Sequence, residues 1–341
     1  MSTRRRTTPW LALVLGATVL VACGKDDAPE PGAWPEMTET IAIDGPVWRV
    51  SGSVQLPDGS TIDLDEGAGG YVVTSAGVWY LTAAVDGGPV QLHLATADGT
   101  NSVIEGVHPR ARSIATSPDG HWLGFIDDPG GEAGLGEAVV VDTLDGREVV
   151  RSSQGLGDDL PEDTDWTDLY EELPVELIGV TEDTAYVRGL HDTIAYDLGT
   201  GDATVLEEIG ATRPAWLDEV SPEPPYSNPT GTWSIPEPPF GENPTFLAED
   251  GTEVATRFAG PDSPLVDAPL LEEWTLAGWV DDETAIGVTP TGGSVGEPSW
   301  EAPAVIECVV PSGECALVPG TEDGVDLPLD RPGLVHPQSY G

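Results

Sequence analysis

Hydrophobic and polar residues along this chain change places every one or two positions, in short bursts separated by turns. The clearest case is S-I-A-T-S-P-D-G-H-W-L-G-F-I-D from Ser113 to Asp127, followed after a Gly-rich gap by A-V-V-V-D-T-L-D-G-R-E-V-V from Ala138 to Val150. Short alternating or continuous apolar runs of this kind, rich in β-branched residues, predict strands rather than helices. Ser117-Pro118-Asp119-Gly120 would join the first two strands and Leu144-Asp145-Gly146 the last two, since Asp-Gly between apolar runs is a hairpin signal. The unit is therefore four strands without a helix.

Looser copies lie on both sides. Pro57-Asp58-Gly59 is followed by comparable turns at Asp98-Gly99, Asp145-Gly146, Thr200-Gly201, Asp250-Gly251 and Ser312-Gly313, at spacings of 40 to 62 residues. The shortest spacings match the roughly 40–45 residues of propeller repeats. Each turn after the first is preceded by another strand pair: Tyr71–Val85, Ser113–Ile126, Leu177–Val187, a weak pair at Thr232–Ile235 after Asn228-Pro229-Thr230-Gly231, and Leu276–Val288. Four-stranded units that bury their faces only by stacking on neighbours describe an all-β propeller. Two β-sandwich domains would also show regular hairpins. Two turns of different type recurring in fixed order favour the propeller. Five repeats are complete and Ile41–Leu64 offers three strands of another, which predicts six blades, with five or seven open.

Ser117–Phe125, S-P-D-G-H-W-L-G-F, resembles the S-P-D-G-x-x-[IL]-[AG]-[FY] signature of WD40-like or TolB-like periplasmic propellers. The resemblance covers residues 41–319 as architecture and is specific in this repeat alone. Glu182-Asp183 and Asp281-Asp282 keep a turn but lose its Pro and Gly. One short helix is predicted between blades. In Asp165–Leu173 the apolar residues Trp166, Leu169, Tyr170 and Leu173 fall on one helical face.

The chain start changes the picture of location. Arg4, Arg5 and Arg6 precede an apolar run from Trp10 to Ala22, too short to span a bilayer and typical of a secretory signal. Leu20-Val21-Ala22-Cys23-Gly24 resembles the bacterial lipobox, in which the Cys is acylated and becomes the first mature residue. The expected layout is a signal peptide over 1–22, a disordered acidic and Pro-rich tether over 23–40, the propeller over 41–319 and an irregular tail over 320–341. The protein would sit outside the cytoplasm, held to the cell membrane by N-terminal lipid alone.

Thirteen basic against sixty acidic residues give a formal charge of −47, and loss of the three arginines of the signal takes it to 10 − 60 = −50. So negative a surface repels nucleic acid and favours a basic or cation-bearing partner. With Cys23 taken by the lipobox, Cys308 and Cys315 remain, and an even remainder in an exported chain reads as a disulfide. A turn at Pro311-Ser312 would set them directly opposite each other.

Candidate chemistry is sparse. The five histidines form no ligand-spaced pair, and no nucleophile elbow, P-loop or dinucleotide fingerprint occurs. Asp163-x-Asp165 begins like a calcium loop, but Asp168 stands where that loop needs Gly and Pro174 where it needs Glu, so the stretch reads as a solvated acidic helix face. No cofactor or metal is expected. Connection lengths are more telling. The long segments, 127–137, 155–172, 211–228, 236–244 and 290–303, all fall between the second and third strands of a unit or between units, so they would crowd one end of the ring. They carry Trp216, Phe240 and Trp300, with Asp127, Asp128, Glu237, Glu242 and Glu297, as the candidate ligand-binding rim. The reading is a binding or scaffold protein for a protein, peptide or glycan. A propeller hydrolase or lyase acting on cell-envelope glycan is the alternative.

Overall fold

A computed structural model describes residues 34–37, 39–82, 90–128, 136–156, 175–189, 192–206, 227–236, 244–258, 274–289, 303–321 and 324–330. The helix expected at 165–173, the signal segment and Cys23 lie outside them. The described residues hold strands and turns and no helix.

They form six sheets in chain order. The first is β1 (Trp48–Val50), β2 (Ser53–Gln55) and β3 (Thr61–Asp63). The second is β4 (Ala68–Thr74), β5 (Gly77–Thr82), β6 (Gln91–Ala95) and β7 (Asn101–Ile104). The third is β8 (Pro109–Thr116), β9 (Trp122–Asp127), β10 (Glu137–Asp142) and β11 (Arg147–Ser152). The fourth is β12 (Glu176–Val180), β13 (Thr184–Arg188), β14 (Thr193–Asp197) and β15 (Ala203–Leu206). The fifth is β16 (Trp233–Ser234), β17 (Thr245–Ala248) and β18 (Glu253–Ala255), extended by a bridge from Ser227 to Ser234 across the Asn228–Gly231 turn. The sixth is β20 (Thr275–Trp279), β21 (Thr284–Val288), β22 (Val305–Val309) and β23 (Glu314–Leu317), with β19 (Arg257–Phe258) added parallel to β23.

All pairings within sheets other than β19 on β23 are antiparallel between consecutive strands. The cores lie between sheets. Val72, Leu92 and Leu94 of the second sheet pack on Leu123, Phe125 and Val139 of the third. Ile126 and Val140 of the third meet Val180, Val187 and Tyr196 of the fourth. Phe246 of the fifth joins Trp274, Leu276 and Ile306 of the sixth. Val54 and Ile62 of the first meet Tyr71 and Tyr80 of the second. The sixth and first share a further seam through Ile286, Val305, Val325 and Trp48. The seams therefore run from the fourth sheet through the third, second and first to the sixth and fifth, with the last sheet of the chain packed on the first. The fold is a β-propeller, as the repeat predicts.

Residues of both terminal segments lie against the sheets. In the tail, Asp326 makes a two-way backbone pair with Arg49 of β1, at 2.8 and 3.0 Å, an isolated bridge beside the first sheet. Residues before position 40 pack as well. The Trp34 ring sits 6.0 Å from both Trp79 and Phe125, and the Met37 amide bonds the Leu144 carbonyl at 3.0 Å. These side chains cover apolar surface at the seam of the second and third sheets, which accounts for their order.

Candidate functional site

Each blade-like sheet has two ends. The turns between first and second and between third and fourth strands lie at one end, and the remaining connections leave from the other. At the turn end the chain's own N-terminal segment lies over the second and third sheets and reaches the sixth. From Met37, bonded to the β10–β11 turn, the chain passes the β4–β5 turn, where the Ile41 amide bonds Ser75 at 2.9 Å. It reaches Pro46, beside Gly278 of β20, before entering β1. The Ser75 amide and hydroxyl both donate to the Gly120 carbonyl, at 2.9 and 2.8 Å, tying adjacent turns together. The tail continues inward. The Leu329 amide donates to Tyr71 O at 2.8 Å, and Asp330 Oδ2 accepts from the Thr116 amide at 3.1 Å and its hydroxyl at 2.6 Å.

Asp127 and Asp128 of the candidate rim stand at the other end, where β9 stops. Asp127 is buried. Its Oδ1 accepts from the His108 amide at 2.8 Å and its Oδ2 pairs with Arg151 Nη1 at 2.9 Å. The same guanidinium binds Glu137 at 2.7 Å and Glu148 at 2.9 Å. Burial works against the Arg151 charge, but the hydrogen bonds it donates to Glu148, Asp127 and Glu137 outweigh it and raise its pKa. Asp128 pairs with Arg110 at 3.2 Å, and Arg110 also reaches the Val175 carbonyl at 3.3 Å. Two arginines thus face four carboxylates, which leaves this root of the 129–135 connection negative. Trp216, Phe240, Trp300, Glu237, Glu242 and Glu297 lie outside the described residues.

Two features at the turn end escaped the sequence reading. His121 stacks on Trp122 with ring centroids 4.4 Å apart, and its Nε2 lies 3.0 Å from Asp142 Oδ1. That oxygen also accepts the Leu144 and Asp145 amides, so the pair shapes the β10–β11 turn. An open hollow of about 460 Å³ is lined by Thr232, Trp233, Ala248, Glu249 and Asp250. Its Asp250 carboxyl is held below the usual range by hydrogen bonds from Thr252. Among the described residues no group of three or more His, Cys, Asp or Glu is placed to hold a metal ion.

Cys308 and Cys315 are paired directly across β22 and β23 and joined by a disulfide, as the register predicts.

The fold has relatives among solved structures. TolB from Acinetobacter baumannii is 14% identical, with a TM-score of 0.35 over 83% of this chain and 64% of that one. A putative TolB from Agrobacterium tumefaciens is 15% identical, with a TM-score of 0.28 over 80% and 79%. A puromycin-hydrolysing peptidase of Mycobacterium tuberculosis is 14% identical, with a TM-score of 0.30 over 84% and 46%. Likeness at this level says nothing of the site. The chain spans less than two thirds of the A. baumannii TolB chain and under half of the peptidase chain. No protein-family model and no curated protein matches the sequence.

Proposed function

We propose that this protein is a lipid-anchored, extracytoplasmic propeller that binds a basic protein or peptide at the end of the ring carrying the long connections. The observation behind this reading is that the chain's own segments cover part of the opposite end. Residues 34–37 and 39–47 lie on the turns of the second and third sheets and beside β20, and the tail lies beside β1, β4 and β8, so we assign the ligand to the end beside Asp127 and Asp128. Long connections on a rigid scaffold are the usual seat of binding. The acidic root of the 129–135 connection and the chain's charge of −47 favour a cationic partner. The lipobox at Cys23 supplies the anchor, since two acyl chains suffice for stable membrane attachment.

Photo-crosslinking residues placed singly at Glu66 and Asp192 probe the long-connection end, and the same residues at Asp98 and Asp250 probe the turn end. All four positions are exposed. Crosslinked partner is expected from the first pair only; crosslinks from the turn end alone would overturn the assignment. Cys23→Ser, followed by detergent partition and mass of the mature chain, tests the anchor separately.

A further inference from the structure

The third and fifth sheets build the same turn from related sequences, Ser117-Pro118-Asp119-Gly120-His121-Trp122 and Asn228-Pro229-Thr230-Gly231-Thr232-Trp233. Their hydrogen bonds correspond. The tryptophan amide donates to Ser117 Oγ at 2.9 Å in one and to Asn228 Oδ1 at 3.1 Å in the other. The glycine amide donates to the Ser117 carbonyl at 2.8 Å and to the Asn228 carbonyl at 2.9 Å. Gly120 and Gly231 both take a positive φ, 66° and 72°. The neighbouring hairpin is tied on in the same way, through Thr143 N to His121 O at 3.0 Å and Glu249 N to Thr232 O at 2.9 Å. Asp142 stands across from Trp122 where Ala248 stands across from Trp233.

The two turns differ in what covers the indole. In the third sheet His121 stacks on Trp122 with ring planes 18° apart, and its Nε2 lies 3.0 Å from Asp142 Oδ1. A flat group that bears N–H donors is thus held between an indole and a carboxylate. In the fifth sheet the smaller Thr232 replaces the histidine and Ala248 the aspartate. These two, with Trp233, Glu249 and Asp250, line the open hollow of about 460 Å³. That volume falls within the roughly 300–1,000 Å³ of small-ligand pockets. Trp233 is half-buried, and Glu249 and Asp250 are exposed beside it.

We propose that the hollow on Trp233 binds a small ligand bearing a guanidinium group, stacked on the indole and paired with Glu249 and Asp250. A guanidinium shares two properties with the imidazole that the third sheet places on its own tryptophan. It is flat, and its N–H bonds lie in its plane, where they reach carboxylates at the edge of the ring. It adds a fixed positive charge, which the indole face attracts more strongly than other aromatic faces do. A lysine-type ammonium has the charge but not the flat shape. The hollow lies at the turn end, so this site is separate from the one assigned to a protein partner beside Asp127 and Asp128.

The test titrates the full chain with N-acetylarginine N-methylamide and with its citrulline counterpart, in which a neutral urea replaces the guanidinium. Binding is followed by the indole N–H resonance of Trp233, assigned with Trp233→Phe. The arginine compound should saturate in the millimolar range, since an exposed cation–π contact and rim carboxylates are each weak. The citrulline compound should bind at least about tenfold less well, because it carries no charge for either. Glu249→Gln with Asp250→Asn should weaken the arginine compound by about tenfold. Asp58→Asn with Asp98→Asn, which removes turn acids of the first and second sheets, should leave it unchanged. Thr232→His with Ala248→Asp, which fills the hollow as the third sheet fills its own, should abolish binding. Three results would overturn the proposal: equal binding of the two compounds, binding that survives the filled hollow, or equal weakening by the two acid pairs. The last would mean attraction to the chain's overall charge and no site. Crosslinking from Glu66 and Asp192 reads the protein partner separately, so failure of one reading leaves the other standing.

Discussion

Arg49 and Asp326, separated by 277 positions in the chain, bind each other through both backbone and side chain. The two side chains are not equivalent. That of Arg49 is 10% exposed and that of Asp326 is 64% exposed. Arg49 also saturates the carbonyls of Ala68 and Gly69 on β4. Arg49→Ala therefore strands two carbonyls at a seam, and about 2 kcal/mol should be lost. Asp326→Asn keeps the backbone pair and removes an exposed charge, so it should cost less than about 1 kcal/mol. Urea unfolding of both variants checks the ratio. Equal losses would mean that the ion pair, not the guanidinium's bonds to β4, carries the closure.

Gly120 separates the demands of a turn from those of packing. Its φ of 66° lies in the left-handed region, and a Cβ there would meet Ile43 Cδ1 at 2.5 Å and the Ser75 amide at 2.7 Å. Gly59 has a φ of 81° with nothing within 4 Å. Gly59→Ala should cost the left-handed strain alone, about 1–2 kcal/mol. Gly120→Ala should cost about 1–3 kcal/mol more, because the N-terminal segment and the β4–β5 turn must move. If the two midpoints shift equally, the segment over the turn end is not packed as described.

The hairpin turns were legible because turn chemistry is local. Asp-Gly and Ser-Pro-Asp-Gly sit where the chain needs positive φ, and the sheets follow their order. The Cys308–Cys315 register was legible for the same reason, being set by one short turn. What failed to show was long-range. Val325, Leu327 and Leu329 alternate as a strand does, but Pro328 and the flanking acids hide the pattern, and its partner β1 lies at the other end of the sequence. Trp34 and Met37 form no period, and they order only because Trp79 and Phe125, from different sheets, present a shared apolar surface. Asp127 could be read as an acid on a long connection. Its burial against Arg151 depends on β9, β10 and β11 aligning side by side, which spacing alone does not reveal.

Stability should fall on both sides of neutrality at one stacked pair. His93 lies 4.9 Å from Tyr80, ring to ring, with Nε2 3.0 Å from the Thr82 hydroxyl and Nδ1 buried without a partner. Burial lowers the His93 pKa, only partly opposed by Asp65. The folded protein therefore resists a proton that the unfolded chain accepts, so its contribution is full above about pH 6.5 and declines as pH falls below that. Burial, with Asp65 accepting from the hydroxyl, pushes Tyr80 up to about 12. That contribution is full below about pH 10 and is lost as pH rises from there towards 12. Urea midpoints across pH should show both slopes. His93→Gln should flatten the acid one in the window above the carboxylate range, and Tyr80→Phe the alkaline one. A slope unchanged by its variant would assign it elsewhere.

The disulfide gives the most direct test of the sixth sheet. Cys308 and Cys315 are fully buried and pack with Trp279, Phe246 and Ile306, so the bridge ties the two outer antiparallel strands, β22 and β23, inside the seam to the fifth sheet. β19 of the preceding unit pairs with β23 through Phe258 opposite Cys315, so the bridged hairpin also holds the link between the fifth and sixth sheets. Closing a loop of this length removes unfolded-state entropy worth about 2.5 kcal/mol. The double change Cys308→Ala with Cys315→Ala should lower stability by about that amount, read as a lower urea midpoint. Burial predicts a second property. In the native state a reductant should act only as fast as the seam opens, while in urea it should act at once. Alkylation of unfolded, unreduced protein should label neither cysteine. Labelling of both would remove the bridge, and a double variant as stable as wild type would mean that the hairpin is held by its ladder alone.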